Sequence, residues 1–196
     1  MTQFYLIRHA ATDTLGREIA GRSPGVHLNE PGRAQAARVA EALGTLPITH
    51  LYSSPLERCR ETAQPLADRL KLPVTASEAL TEVDFGDWTR KSLEELGQLD
   101  AWRQWNGFRS AAQIPNGESM VQVQSRIVAE LERLRRLHPK TPVAIFSHGD
   151  PIRAALTWYL GMPLDLLSRL EIFPGSVCVL AVSDWDAKIR ALNLNV

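Results

Sequence analysis

The sequence predicts an α/β fold, a three-layer sandwich with a mostly parallel central sheet and helices on both faces. Three observations predict it. Short apolar, β-branched or aromatic runs alternate along the chain with longer stretches of helical period. Most of the short runs are apolar on both faces, as strands are when a sheet is covered on each side. The chain has 196 residues, 44% hydrophobic and 22% charged, which suits one globular domain with a sizeable core.

Taken in order, strands are predicted over 3–8, 48–53, 73–76, 142–147, 177–183 and 188–194. A helix follows Asn29 and runs to about residue 43. Another opens at Ser54-Pro55-Leu56-Glu57, where Ser54 and Glu57 are spaced as a capping box and Pro55 takes the first helical position. Ser92 and Glu95 repeat the capping spacing and open a third. The longest helix covers 117–138: Met120, Val123, Ile127, Leu131, Leu134 and Leu137 recur at three- and four-residue intervals, and Pro139 stops it. Asp150-Pro151 begins the last, with Asp150 read as its N-cap or, alternatively, a substrate contact. The segment 83–119 is irregular and rich in aromatic residues, with Trp88, Trp102, Trp105 and Phe108. It reads as a lid-like insertion packed over one sheet edge, within a single domain spanning 1–196. Its tryptophans either pack it onto the body or supply one wall of a pocket.

With 22 Lys+Arg against 22 Asp+Glu the formal net charge is zero, without the basic stripe that phosphate-backbone binding demands, so no nucleic-acid partner is expected. Cys59 and Cys178 lie far apart and outside any ligand pattern, pointing to a reducing compartment and no zinc site. The apolar run before Arg8 is too short for a signal-peptide core or a membrane span, and a cytoplasmic location away from membranes is expected. Oligomeric state is not readable.

In open α/β sheets, ligands bind beyond the carboxyl ends of the parallel strands. Arg8-His9 closes the first strand and Ser147-His148-Gly149 closes the strand 142–147, so both histidines should emerge on one face. Arg58, in the first turn of the helix after strand 48–53, returns to that face, where two helix N-termini also point. Two arginines, two histidines and two helix N-termini suit a phosphoryl group.

The runs LIRHAAT (6–12), SSPLERCRETA (53–63), LTEVDFGDW (80–88) and FSHGDPIRAAL (146–156) resemble, in order, the motifs of the histidine phosphatase superfamily, also called phosphoglycerate mutase-like. The resemblance implies that His9 is a nucleophile forming a phosphohistidine, that Arg8, Arg58 and His148 bind the phosphoryl oxygens, and that Glu82 is the general acid. It implies no metal and no cofactor. Asp84 and Asp87 compete with Glu82, but only Glu82 matches the family position. Gly149 joins the substrate-binding set, with Thr12 as a hydroxyl donor or turn cap and Arg22 as a loop contact or surface cation. His27, His50 and His138 match no motif. Four departures stand out: Ala10 and Arg90 where the family usually has Gly, Leu15 where mutase-type members have Asn, and Asp150-Pro151 where small neutral residues are commoner. The leading expectation is a metal-independent phosphatase acting on a small-molecule phosphate ester. The alternatives are a cofactor-dependent phosphoglycerate mutase, a phosphoprotein phosphatase and a non-catalytic phosphoester-binding module.

Overall fold

A computed structural model describes all residues, 1–196. Strands β1 (Thr2–Arg8), β2 (His50–Ser53), β3 (Val74–Ala76), β4 (Pro142–Ser147), β5 (Val177–Val182) and β6 (Ala187–Leu194) form one six-stranded sheet in the order β3-β2-β4-β1-β5-β6. The first four in that order run parallel; β5 is antiparallel to β1, and β6 to β5. The main helices are α1 (Glu30–Leu43), α2 (Glu57–Leu70), α3 (Leu93–Gly97), α4 (Asp100–Gly107), α5 (Met120–Leu137) and α6 (Gly149–Leu160). The predicted fold class therefore stands.

Alternation along the strands feeds two cores. Phe4 and Leu6 of β1 face Ile127, Leu131 and Leu134 of α5 and Ile152 and Leu156 of α6. Tyr5 and Ile7 point the other way, to Val39 and Leu43 of α1 and Ala63 and Leu66 of α2. The outer strand β6 departs from the two-sided pattern: its residues alternate between half-buried and exposed. No helix is long and apolar enough to cross a membrane.

Four local expectations are corrected. The Ser54 capping box does not form: α2 starts at Glu57 after Leu56, with no side-chain cap and with Pro55 outside it. Ser54 is instead fully buried against His148, and the Glu57 carboxylate takes the Gly25 N–H. Asp150 is not an N-cap either. It lies inside α6, whose N-cap is His148, because its carboxylate is drawn to Arg109 (3.1 Å) and Arg153 (3.0 Å). The tryptophan-rich segment packs Trp88 and Trp105 against Met120 and Val123 of α5, Ala154 of α6 and the 3-10 segment Leu164–Arg169, not over an edge strand. The long helix begins three residues later than predicted, at Met120, where Ser119 and Gln122 form a reciprocal capping box.

Candidate active site

Strand register brings the two histidines together. Arg8 at the end of β1 pairs with Ser147 at the end of β4, and the His9 N–H donates to the Ser147 carbonyl at 2.9 Å. Both chains leave the sheet side by side, with the His9 and His148 ring centroids 5.2 Å apart. Ser54, leaving β2, donates its N–H to the Phe146 carbonyl of the same β4 end. A cleft of about 190 Å³ opens there, with Arg8, His9, Arg58 and Glu82 among its walls.

His9 is 6% exposed. Its Nδ1 lies 2.8 Å from the Ala10 carbonyl, which can only accept, so Nδ1 carries the proton and Nε2 keeps its lone pair. Burial, then the Arg58 and Arg8 guanidiniums, holds its pKa well below the ordinary imidazole value. The turn behind it is pinned twice: Ala10 N–H donates to Thr62 Oγ1 (3.0 Å) and Ala11 N–H to Gln35 Oε1 (2.8 Å). Gly32 permits the close approach of α1, since a Cβ there would lie 2.0 Å from the Ala11 carbonyl oxygen. Ala10 itself has no left-handed φ, so alanine is accommodated where glycine was expected.

The cations are anchored by one arm each. Arg8 Nη1 donates to the Ile172 carbonyl (2.7 Å) and Arg58 Nη2 to that of Gly21 (2.7 Å). Arg8 Nε and Arg58 Nη1 are buried and find no acceptor in the protein. A buried guanidinium donor without an acceptor is costly, and an anion in the cleft would satisfy it. Gly149 opens α6 beside them; a Cβ there would meet the Arg8 guanidinium carbon at 3.4 Å.

His148 is fully buried. Its Nε2 lies 2.9 Å from Ser54 Oγ, which also accepts the Leu56 N–H at 3.3 Å. His148 Nδ1 lies 3.8 Å from Glu82 Oε2. Burial and the Arg58 charge push the His148 pKa well down, which favours the neutral ring. Glu82 is displaced the opposite way: burial first, then the Asp150 carboxylate, raises its pKa and favours the protonated acid. Neither Asp84 nor Asp87 lines the cleft. Cys59, beside His148, has its pKa raised to about 12 by burial and is inert as a thiol.

Around this centre, Thr12 lines the cleft with its hydroxyl 2.9 Å from that of Thr14. Arg22 is turned away: Nε donates to the Glu82 carbonyl (2.9 Å) and Nη2 to Glu118 (2.8 Å). Leu15, Ile19 and Leu93 supply an apolar mouth, and Glu18, the carboxylate there, pairs with Arg90 at 2.9 Å. Arg90 keeps the turn that glycine would make, at φ +67°. None of the tryptophans lines the cleft; Leu93 alone comes from the 83–119 segment. No group of three or more His, Cys, Asp or Glu is placed to hold a metal ion. Sequence reasoning did not single out Ser54 as a histidine partner, Thr62, Ser147 or Arg126. Only the position of Ser54 and Ser147 beside strand ends could have flagged them, since the partners of the others come from distant segments.

A sequence profile described as histidine phosphatase superfamily (branch 1) matches residues 4–195. The chain belongs to the histidine phosphatase superfamily. Phosphoserine phosphatase 1 of Hydrogenobacter thermophilus is 31% identical to it over 199 positions, covering 99% of this chain and 93% of the relative. A Proteus mirabilis protein named "Probable phosphoglycerate mutase GpmB" is 34% identical over 176 positions, covering 88% and 81%. Among solved structures, Bacillus stearothermophilus YhfR superposes with a TM-score of 0.92 at 25% identity, covering 98% of this chain and 97% of that one. A mycobacterial glucosyl-3-phosphoglycerate phosphatase does so at 0.88 and 26%, covering 98% of each. This superfamily member is accordingly an enzyme of the histidine phosphatase type.

Proposed function

We propose that the chain hydrolyses a small phosphomonoester through a phosphohistidine on His9, with no metal or cofactor. The observation that carries the reading is the His9 Nδ1 bond to the Ala10 carbonyl, which leaves Nε2 as a free lone pair beside the unpaired Arg8 and Arg58 donors. Nε2 attacks phosphorus in line and the N–P bond forms as the ester P–O bond breaks. Glu82 gives its proton to the leaving oxygen. Arg8, Arg58 and His148 hold the equatorial oxygens and offset their charge, with Thr12 and the α6 N-terminus at Gly149 alongside. The Glu82 carboxylate then takes a proton from water, whose oxygen attacks phosphorus; the N–P bond breaks, its electrons return to Nε2, and inorganic phosphate leaves.

The relatives named as mutases favour a second reading, phosphoglycerate interconversion. The mouth argues against it. A phosphoglycerate brings a carboxylate, whereas Leu15, Ile19 and Leu93 at the mouth are apolar, Arg90 is paired with Glu18 there, and Arg22 is committed to Glu118. The test is phosphate release in EDTA from a panel that includes alkyl phosphates, phosphoserine and 3-phosphoglycerate, with trapping of acid-labile phosphoenzyme. Phosphate release with a phosphoenzyme lost in His9→Ala supports the phosphatase reading. Rapid isomerisation dependent on bisphosphoglycerate, or phosphate release without any phosphoenzyme, overturns it.

A further inference from the structure

Glu82 sits in an irregular stretch between the 3-10 turns Glu78–Leu80 and Gly86–Trp88, so its own element does not hold it. We propose that Glu118 and Arg126 are positioning residues that hold the Glu82 backbone so its carboxyl meets the leaving oxygen, and that Arg22 closes the loop after β1 onto the same clamp. This rests on the reading of Glu82 as the acid.

Arg126, on α5, donates through Nη1 to the Ala79 carbonyl (2.8 Å) and through Nη2 to the Glu82 carbonyl (3.0 Å). The same guanidinium grips Glu118 from Nε (2.8 Å) and Nη2 (3.1 Å). Glu118 Oε2 in turn accepts the Asp84 N–H (3.3 Å) and Arg22 Nη2 (2.8 Å). Arg22 Nε completes the set as a second donor, at 2.9 Å, to the Glu82 carbonyl. The backbone is thus held at 79, 82 and 84, on both sides of the acid and at the acid itself. Ser147 at the end of β4 adds a bond from Oγ to the Leu80 carbonyl (2.7 Å), which ties this stretch to the strand that delivers His148.

Only a planar fork with five donors can reach two carbonyls and both oxygens of a carboxylate together, so lysine cannot replace Arg126. The clamp touches the Glu82 main chain and leaves its carboxyl free of the guanidiniums: Oε1 takes the Val83 N–H (2.9 Å) and Oε2 faces His148. Arg126 and Glu118 side chains are 18% and 15% exposed and Arg22 38%, so Arg22 is the one that substitution removes with least disturbance to the core.

A merely structural ion pair would slow all substrates alike or none. A positioning role instead depends on the leaving group, because an aryl oxide such as p-nitrophenolate departs without a proton and an alkoxide does not. Arg126→Lys, Glu118→Gln, Arg22→Ala and Glu82→Gln would be assayed with p-nitrophenyl phosphate and with butyl phosphate. Arg126→Lys and Glu118→Gln should lower kcat/KM for butyl phosphate by roughly 10- to 100-fold, the scale of a misplaced acid. With p-nitrophenyl phosphate kcat/KM, which reports the steps up to phosphoenzyme formation and not the shared hydrolysis that also uses Glu82, should change by less than about threefold. Arg22→Ala should show a smaller loss of the same kind; a rise in KM for both esters would make it a substrate contact and remove it from the clamp.

Equal losses on the two esters, or no loss on either, overturn the proposal when Glu82→Gln is selective against butyl phosphate. If Glu82→Gln lowers kcat/KM equally for both esters, the acid reading fails and the proposal falls with it. Should Arg126→Lys not fold, Glu118→Gln and Arg22→Ala still decide the matter: within one clamp their losses on butyl phosphate combine less than multiplicatively, and independent losses count against it.

Discussion

His9 and Glu82 are moved in opposite directions by the same pocket. At their ordinary values, 6.5 and 4.5, a free-base imidazole and a protonated carboxyl hardly coexist at any pH. Burial and two guanidiniums lower His9, while burial and Asp150 raise Glu82, so the two working forms overlap. The same shifts set stability. His9 and His148 are harder to protonate folded than unfolded, so the unfolded chain gains protons first as pH falls below about 6.5, and stability should be lost there; a thermal-melt series from about pH 7 to pH 5 checks it. Glu82 works in the other sense: stability is full below 4.5 and is lost as pH rises through the raised folded value. Glu82→Gln should therefore raise Tm at pH 7 while slowing turnover of alkyl esters. A Tm that falls in that variant would contradict the buried, destabilised carboxylate.

Among the elements, the approach of α1 to the turn after β1 is the tightest constraint on His9. Gly32 carries it. Gly32→Ala should cost about 1–3 kcal/mol or more from overpacking, against the roughly 1 kcal/mol that alanine gains in a helix, because the new Cβ would strike the Ala11 carbonyl. Urea midpoints measure the loss, and kcat should fall with it, since the displaced turn orients His9; an unchanged midpoint would remove the constraint. Arg90 shows the converse. A left-handed φ of +67° is unfavourable for arginine, yet its side chain recovers contacts with Glu18 (2.9 Å) and the Pro24 carbonyl (3.2 Å), bracing the mouth. Element boundaries were legible in sequence wherever the capping residue had no competing partner, as at Asn29 and Ser92. Ser54 misled because the spacing of a capping box says nothing of a histidine from β4 that claims the hydroxyl.

At the scale of the molecule, the 83–119 segment builds a third core of its own. Trp105 is 1% exposed, stacks with Trp102 at 5.3 Å and carries the Arg109 guanidinium 3.3 Å above its ring. Arg109 reaches Asp150, the carboxylate that helps raise Glu82, so this core braces the site without lining it. Trp105→Ala should cost about 3–5 kcal/mol in denaturant stability. Phosphoenzyme formation with an aryl phosphate should persist at a temperature where the variant stays folded, and its loss there would mean that the core contributes to the first chemical step. The sequence by itself determined the α/β class, the strands and the main helices other than α4, and placed Arg8, His9, Arg58 and His148 on one face, because periodicity and strand-end placement are local properties; Glu82 was marked by resemblance to the superfamily's motifs. Tertiary structure decided what surrounds them. The neighbours of β1, the withdrawal of Arg22 to Glu118 and the hold of Arg126 on Glu82 all depend on partners tens of residues away. Charge and hydrogen bonding act through space, and no spacing along the chain encodes which distant donor arrives first.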